Sequence, residues 1–387
     1  MRAADFQPNA PGTLLELDDR GGVAFEPAPL PPKLLLDTEL ARLIGATERV
    51  LGRLDGRGHG LTNPDILIQP FLRREALASS RIEGTTAVIE DVLRFEAGEQ
   101  QGQNADDVQE VINYINALTY GLNRPPERPL SLGFINELHR LLLNDVRGEE
   151  RHPGRPRQIQ VIIGTPGSTV ATARFVPPPP TMVQGLLEQL LEWIGTDDGL
   201  PELVRLALMH YQFETIHPYE DGNGRLGRLL ITLMLREWNI MEYPLLYLSE
   251  YFERHKPAYL KHLLAVSQGG EWLEWIKFFL QAMQFQAEDA LQASTSLIDY
   301  RESLRRHYQQ QRMPAHLMNV LDQLFEGPVV SVPRLAERLG IRNEQVQRAL
   351  DRLLADDVIT ELTGQRRNRL FAAPAILAVL RRRPERE

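Results

Sequence analysis

The chain has 387 residues, enough for two or three domains with buried cores, and carries Lys+Arg 43 against Asp+Glu 52 for a formal net charge of −9. That balance excludes a nucleic-acid coat protein, and the absence of cysteine excludes disulfides, cysteine nucleophiles and cysteine-based zinc sites. The opening MRAADFQPNAPGTLLELDD has no apolar run and LLITLMLREW is too short to span a bilayer, so neither a signal peptide nor a membrane helix is expected and the location expected is cytoplasmic.

In chain order, residues 1–33 are rich in Pro and Gly and are expected to lie extended on the surface. Residues 34–118 have helical periodicity, broken by the glycines of GRLDGRGHG and by the acidic turn EAGEQQGQNADD. Within them the amphipathic stretch IQPFLRREALASSRI places Glu83 near a helix end. A helical core is expected over 119–283, with SLGFINELHRLLLND, the two helices around residues 217–228, LYLSEYFERHKPAYLKHLL and EWLEWIKFFLQAM. Inside it, Gln160–Gly164 and Arg174–Val176 flank a turn at Pro166 and Gly167 and predict a β-hairpin. The polar run 284–313 reads as a connecting helix. Residues 314–383 predict three short helices and then two strands, VITEL and RNRLFAA, joined at Thr363 and Gly364. The fold class is mainly α with a β-hairpin, plus a small α+β domain.

The densest chemistry lies in His217-Pro218-Tyr219-Glu220-Asp221-Gly222-Asn223-Gly224-Arg225-Leu226-Gly227-Arg228. Glycines 222 and 224 let successive N–H groups converge on an anion, and the helix predicted for RLGRLLITLMLREW adds its positive N-terminal end. Arg225 and Arg228 share one face of the first turn, and guanidinium forks suit phosphate oxygens. Asp221 is a hard ligand of the kind Mg²⁺ takes, and His217 is suited to accept a proton from a hydroxyl. The string also fits G-x-G-x-x-G, but a dinucleotide site requires a preceding strand, whereas ELVRLALMHYQFET reads as a buried helix. These groups point to chemistry on a nucleoside triphosphate.

The string resembles the Fic family signature H-P-F-x-D/E-G-N-G-R-x-x-R, with Tyr219 in place of Phe as the one departure. The resemblance implies a helical core and transfer of AMP from ATP to a protein Ser, Thr or Tyr hydroxyl, the chain's own included, with release of pyrophosphate. It implies His217 as general base, Asp221 as the Mg²⁺ ligand, the loop Gly222–Arg228 as the nucleotide cradle, Arg225 on the phosphates and Arg228 on the terminal phosphate. The hairpin resembles the family's flap, with Ile163 and Gly164 beside the nucleotide and an edge for a target peptide. Tyr259 matches an aromatic near the adenine, and Leu260 stands where a second Tyr is common. Ser79-Ser80-Arg81-Ile82-Glu83-Gly84 resembles the inhibitory pattern S/T-x-x-x-E-G/N, so that Ser79, Glu83 and Gly84 imply a self-inhibited subclass in which Glu83 engages Arg228. Members of that subclass are often homodimers. Related sites move other groups or remove AMP, and a regulator that senses nucleotide and binds DNA is the alternative outside enzymes.

Residues 314–383 resemble a winged-helix domain, with Asn343–Asp357 in the recognition position and Gly364–Arg369 as the wing. Arg342, Arg348, Arg352, Arg366, Arg367 and Arg369 are placed to meet phosphates, yet residues 314–387 hold 12 Arg and no Lys against 10 Asp and Glu. DNA binding and protein docking therefore stand level. His139, His210, His255 and His262 lack zinc-ligand spacing and read as packed or surface imidazoles.

Overall fold

A computed structural model describes residues 1–17, 21–99, 104–125, 127–364 and 368–382. From the N-terminus come strands β1 (Gly12–Glu16) and β2 (Val23–Pro27), then helices α1 (Thr38–His59), α2 (Asp65–Ile82), α3 (Ile89–Glu96) and α4 (Ala105–Leu122). The middle of the chain forms α5 (Leu132–Leu142), α6 (Pro180–Ile194), α7 (Glu202–Ile216), α8 (Asn223–Glu237), α9 (Ser249–Arg254) and α10 (Lys256–Gly269). The remainder is α11 (Trp272–Gln310), α12 (Ala315–Glu326), β3 (Val329–Ser331), α13 (Val332–Leu339), α14 (Asn343–Ala355), β4 (Thr360–Glu361), β5 (Leu370–Ala372) and α15 (Pro374–Arg381). Among the described residues no helix is long and apolar enough to cross a membrane.

Two compact units share this chain. The first gathers Met1–Arg49, Asn113–Ile240 and Leu248–Gln284. Its centre is α7, whose residues from Leu203 to Phe213 are all buried because the helix is apolar on nearly every side. α8 packs against it at Gly227, where an added Cβ would come within 2.3 Å of Glu214 Oε1, so only glycine allows this approach without movement. Arg205 of α7 caps the C-terminal end of α6 by donating to the carbonyls of Trp193 (3.0 Å), Ile194 (3.2 Å) and Thr196 (2.5 Å). Trp275 Nε1 donates to the Ala207 carbonyl at 2.9 Å and ties the start of α11 to α7.

The segment 1–33, expected to be extended, contains an antiparallel hairpin in which Leu14 faces Phe25 across β1 and β2. Phe25 N–H continues the pairing to the Val176 carbonyl at 2.9 Å. Val23, Ala24 and Phe25 share an apolar cluster with Val170, Ala173, Phe175 and Val176, which anchors the base of the segment expected to form a flap. That segment departs from the hairpin of paired strands expected of it. Its ladder is one antiparallel bridge, Ile163 with Phe175, closed by N–H to carbonyl bonds of 2.8 and 3.0 Å. The prolines at 177–180 have no N–H to extend the ladder, and Pro180 instead begins α6.

The second unit gathers Val50–Ile112, Met241–Tyr247 and Phe285–Glu387. Buried Arg73 of α2 donates to Glu96 at 2.7 Å and to the Glu326 carbonyl at the end of α12 at 2.8 Å. A three-stranded antiparallel sheet has the order β3-β5-β4, with Val330 opposite Phe371 and Thr360 opposite Ala372. Strand β3 and helix α15 were not anticipated. Of the arginines expected to meet phosphates, Arg352 donates to Asp356 (2.8 Å) and Gln311 (2.9 Å), and Arg369 to Glu361 (2.5 Å). Arg366 and Arg367 lie outside the described residues.

Candidate active site

The site is assembled where α7 ends and α8 begins, entirely within the first unit. α7 stops at Ile216 because Pro218 follows, and a proline disfavours helical angles in the residue before it. His217 takes the left-handed conformation, φ 50 and ψ 62, and donates its backbone N–H to the Phe213 carbonyl at 3.0 Å. For a side chain other than glycine this conformation costs about 1–2 kcal/mol, so neighbours must hold it. His217 Nδ1 lies 3.3 Å from the Glu214 carbonyl, which can only accept. The ring therefore carries its proton on Nδ1, and Nε2 is the basic nitrogen.

Arg157, which the sequence did not single out, is 1% exposed beneath this loop. It donates to the carbonyls of His217 (2.9 Å), Ile159 (3.2 Å), Pro178 (2.5 Å) and Ile216 (3.4 Å), and its own N–H goes to the Pro218 carbonyl at 2.9 Å. Burial lowers its pKa to about 10, which leaves it charged at neutral pH.

The loop closes through Asn223, whose side chain accepts from Tyr219 N–H and donates to the Tyr219 carbonyl, both at 2.8 Å. Its amide is thus spent on the loop rather than turned to a ligand. Gly222, with φ 74, precedes α8, and the helix's own ladder starts with Leu226 N–H on the Gly222 carbonyl at 3.0 Å. The N–H groups of Asn223, Gly224 and Arg225 are left outside that ladder at the positive end of the helix, the arrangement that binds anions. The Leu226 side chain is fully buried and serves packing. Arg225 and Arg228 are each 2% exposed.

Asp221 presents a carboxylate that is 42% exposed, with Oδ1 accepting from Gly222 N–H at 2.6 Å and lying 3.8 Å from Arg225 Nη2. Gly148, at φ 96, comes so close that its Cβ would sit 2.9 Å from Asp221 Oδ2. Among the described residues no group of three or more His, Asp or Glu could hold a metal. One accessible carboxylate still fits Mg²⁺, which draws the rest of its shell from water and substrate phosphates.

Two of the histidines that read as packed imidazoles are buried and also bond to the signature segment, His139 at the Asp221 carbonyl and His210 at the Gly227 carbonyl. His139 accepts from Gly154 N–H at 2.8 Å, donates to the Asp221 carbonyl at 2.9 Å and stacks on Tyr219 with centroids 3.7 Å apart. The Tyr219 hydroxyl in turn donates to Asn136 Oδ1 at 2.7 Å. Burial, with the Arg225 charge adding to it, lowers the His139 pKa to about 4. His210 accepts from the Tyr259 hydroxyl at 2.7 Å, and burial, then Arg228, lowers its pKa to about 3. Tyr259, expected near the adenine, is 2% exposed and stacked on Phe252 at 4.6 Å, so its ring lies in the protein interior, while Leu260 is half-buried. Ile163 is half-buried in the bridge and Gly164 is exposed beside it.

Residues 41–123 match the model described as Fic/DOC family N-terminal, and residues 129–235 match the Fic/DOC family model. The chain carries Fic/DOC family domains. The Fic domain contains the bridge, Arg157 and the whole loop from His217 to Arg228. Over 139 residues, 35% of this chain, it is 31% identical to protein adenylyltransferase fic-1 of Caenorhabditis elegans. A 65-residue stretch, 17% of the chain, is 38% identical to a probable protein adenylyltransferase of Aquifex aeolicus. The chain spans only 25% and 20% of the lengths of these two curated relatives. The fold is similar to that of a Fic family protein from Desulfovibrio desulfuricans, with a TM-score of 0.57 at 20% identity, covering 89% of this chain and 98% of that one. It is also similar to a fragment of Fic-1 from Caenorhabditis elegans, with a TM-score of 0.53 at 20% identity over 68% of this chain and 74% of that one.

The Fic N-terminal domain holds the segment suspected of inhibition. Glu83 caps the C-terminal end of α2 at φ −88 and ψ −2, its N–H on the Ser80 carbonyl at 3.0 Å, and its side chain is on an exposed residue. Gly84 follows at φ 107, which only glycine adopts without strain, and turns the chain so that Thr85 N–H also reaches the Ser80 carbonyl at 3.2 Å. Ser79 is fully buried.

Proposed function

We propose that the protein transfers AMP from ATP to a hydroxyl of a protein side chain and releases pyrophosphate, and that Glu83 restrains the reaction. The reading is supported above all by the left-handed His217, with Nε2 as its basic nitrogen, one loop away from the N–H groups that open α8. The phosphates lie on the N–H groups of Asn223, Gly224 and Arg225, with the guanidinium groups of Arg225 and Arg228 countering charge that builds during transfer. The acceptor hydroxyl gives its proton to His217 Nε2 as its oxygen bonds to the α-phosphorus. The bond from the α-phosphorus to the bridging oxygen breaks, and that oxygen leaves with pyrophosphate. Asp221 would hold Mg²⁺, which neutralises phosphate charge when bound. The segment bridged at Ile163 and Phe175 presents the acceptor, with main-chain groups near Gly164 available to pair with an extended peptide.

The test uses ATP labelled at the α-phosphate, with the full chain and a cell lysate as acceptors. Glu83→Gly is expected to raise labelling, and His217→Ala in that background to remove it by a factor of about 10²–10⁴ while ATP binding persists. ATP labelled at the γ-phosphate is expected to leave protein unlabelled. Absence of α-label in the Glu83→Gly protein, or label from the γ-phosphate alone, would overturn the assignment.

A further inference from the structure

Arg157 bonds to three consecutive residues of the turn carrying the proposed base, Ile216, His217 and Pro218. α7 ends with carbonyls that have no donor in the helix, and Pro218 brings no N–H of its own to meet them. The guanidinium supplies those donors, reaching the Ile216 and His217 carbonyls from below, while the Arg157 N–H takes the Pro218 carbonyl. The same head group reaches the Pro178 carbonyl, at the foot of the segment bridged at Ile163 and Phe175, and the Ile159 carbonyl at its other foot. All of its side-chain partners are backbone carbonyls, and the residue is 1% exposed. A planar fork of five donors can hold four carbonyls at once, and an ammonium cannot reproduce that pattern.

The consequence falls on His217. Before a proline the favoured backbone is extended, and a switch of His217 from φ 50 to an extended angle would carry the ring away from the Glu214 carbonyl that sets its tautomer. We infer that Arg157 is a positioning residue for the reaction: it holds His217 in the left-handed conformation that directs Nε2 as base, and ties that geometry to both feet of the acceptor-presenting segment. The inference rests on the proposed role of His217. It goes beyond that role by assigning the spacing between base and acceptor to a buried guanidinium outside the signature.

Arg157→Gln and Arg157→Lys are made in the full-length Glu83→Gly protein, and rates are expressed per folded molecule, with folding read by tryptophan fluorescence. For Arg157→Gln, kcat for α-labelled AMP transfer is expected to fall roughly 30- to 100-fold, as for a catalytic group displaced by about 1 Å, with KM for ATP changed by less than about threefold. Arg157→Lys, which restores the charge and some donors, recovers part of kcat, and it carries the test if the Gln variant does not fold. A kcat per folded molecule within about twofold of the parent in the folded variants overturns the assignment. If the parent itself transfers no AMP, the proposed function fails, and nitrogen NMR of the His217 ring decides Arg157 alone. A mixture of tautomers in the variants, where the parent shows Nδ1–H, supports the positioning role, and an unchanged Nδ1–H signal refutes it.

Discussion

His139 ties the stability of the site to pH. Its ring bridges Gly154 N–H and the Asp221 carbonyl in the neutral form, and burial lowers its pKa from 6.5 to about 4. Because the folded state binds the proton less well than the unfolded chain, the contribution is fully present above pH 6.5 and is lost as pH falls toward 4. A shift of that size corresponds to roughly 3 kcal/mol across the window, or about 1.4 kcal/mol per pH unit at its centre. All four tryptophans, Trp193, Trp238, Trp272 and Trp275, lie in the unit that holds the site, so their emission follows its unfolding without a signal from the other unit. Urea unfolding between pH 7 and 4.5 is expected to show stability falling with acidification. In His139→Gln, which keeps a donor for the Asp221 carbonyl but cannot titrate, the slope should be shallower by about 1.4 kcal/mol per pH unit, whatever the variant's stability at pH 7. Equal slopes in parent and variant, within about 0.3 kcal/mol per pH unit, would show that the buried imidazole is not what titrates.

Three further predictions concern the same unit. Gly154 has φ 77, and an added Cβ would lie 2.8 Å from the Asn136 carbonyl oxygen, so Gly154→Ala should lower stability by about 1–3 kcal/mol. Gly185 in α6 has nothing within 4 Å of such a Cβ, and Gly185→Ala should instead gain about 0.5–1 kcal/mol; the same tryptophan signal distinguishes the two signs. Asn223→Ala strips the buried Tyr219 N–H and carbonyl of their partners and should cost about 2–4 kcal/mol, with weaker ATP binding in equilibrium dialysis. Unchanged affinity in a folded Asn223→Ala protein would mean that the cradle keeps its shape without the clamp.

The proposed catalytic groups were legible because their chemistry is local. His217, Asp221 and the two arginines fall within twelve residues, and the helices on either side of them were readable, the first from a run apolar on nearly every side at helical length and the second from the apolar run that follows the glycines. Glu83 was legible as a helix end for the same reason, since the amphipathic stretch of α2 runs out at Ile82. Arg157 was not, because its partners are main-chain carbonyls of Ile216, His217 and Pro178, and a carbonyl has no sequence signature. It stands in a run with Arg151 and Arg155, from which composition cannot separate it. The hairpin of β1 and β2 escaped notice because short strands among prolines and glycines lack a period, and its place depends on apolar residues some 150 positions away, such as Phe175. The polar run 284–313 reads as a connecting helix, and α11 does continue through it to Gln310, because Gln, Glu, Ala and Arg are good helix formers and Ala287, Leu291 and Leu297 still bury one side of it.

The burial pattern also separates the signature into two kinds of residue. Tyr219 and Asn223 satisfy each other's buried polar groups, and Tyr219 reaches outward to Asn136 by a hydrogen bond and to His139 by stacking, so these bonds are made before any ligand arrives. Gly222 supplies an angle and Leu226 fills the core. The groups proposed to meet a phosphate are different ones: the N–H groups opening α8, the guanidinium groups of Arg225 and Arg228, the Asp221 carboxylate and the His217 ring. A substitution in the first kind should therefore alter stability and nucleotide affinity together, whereas one at His217 should change the rate alone. The replacement of Phe by Tyr at 219 fits the first kind: the added hydroxyl is held by Asn136, so it enlarges the scaffold's hydrogen bonding without placing a new group in the site.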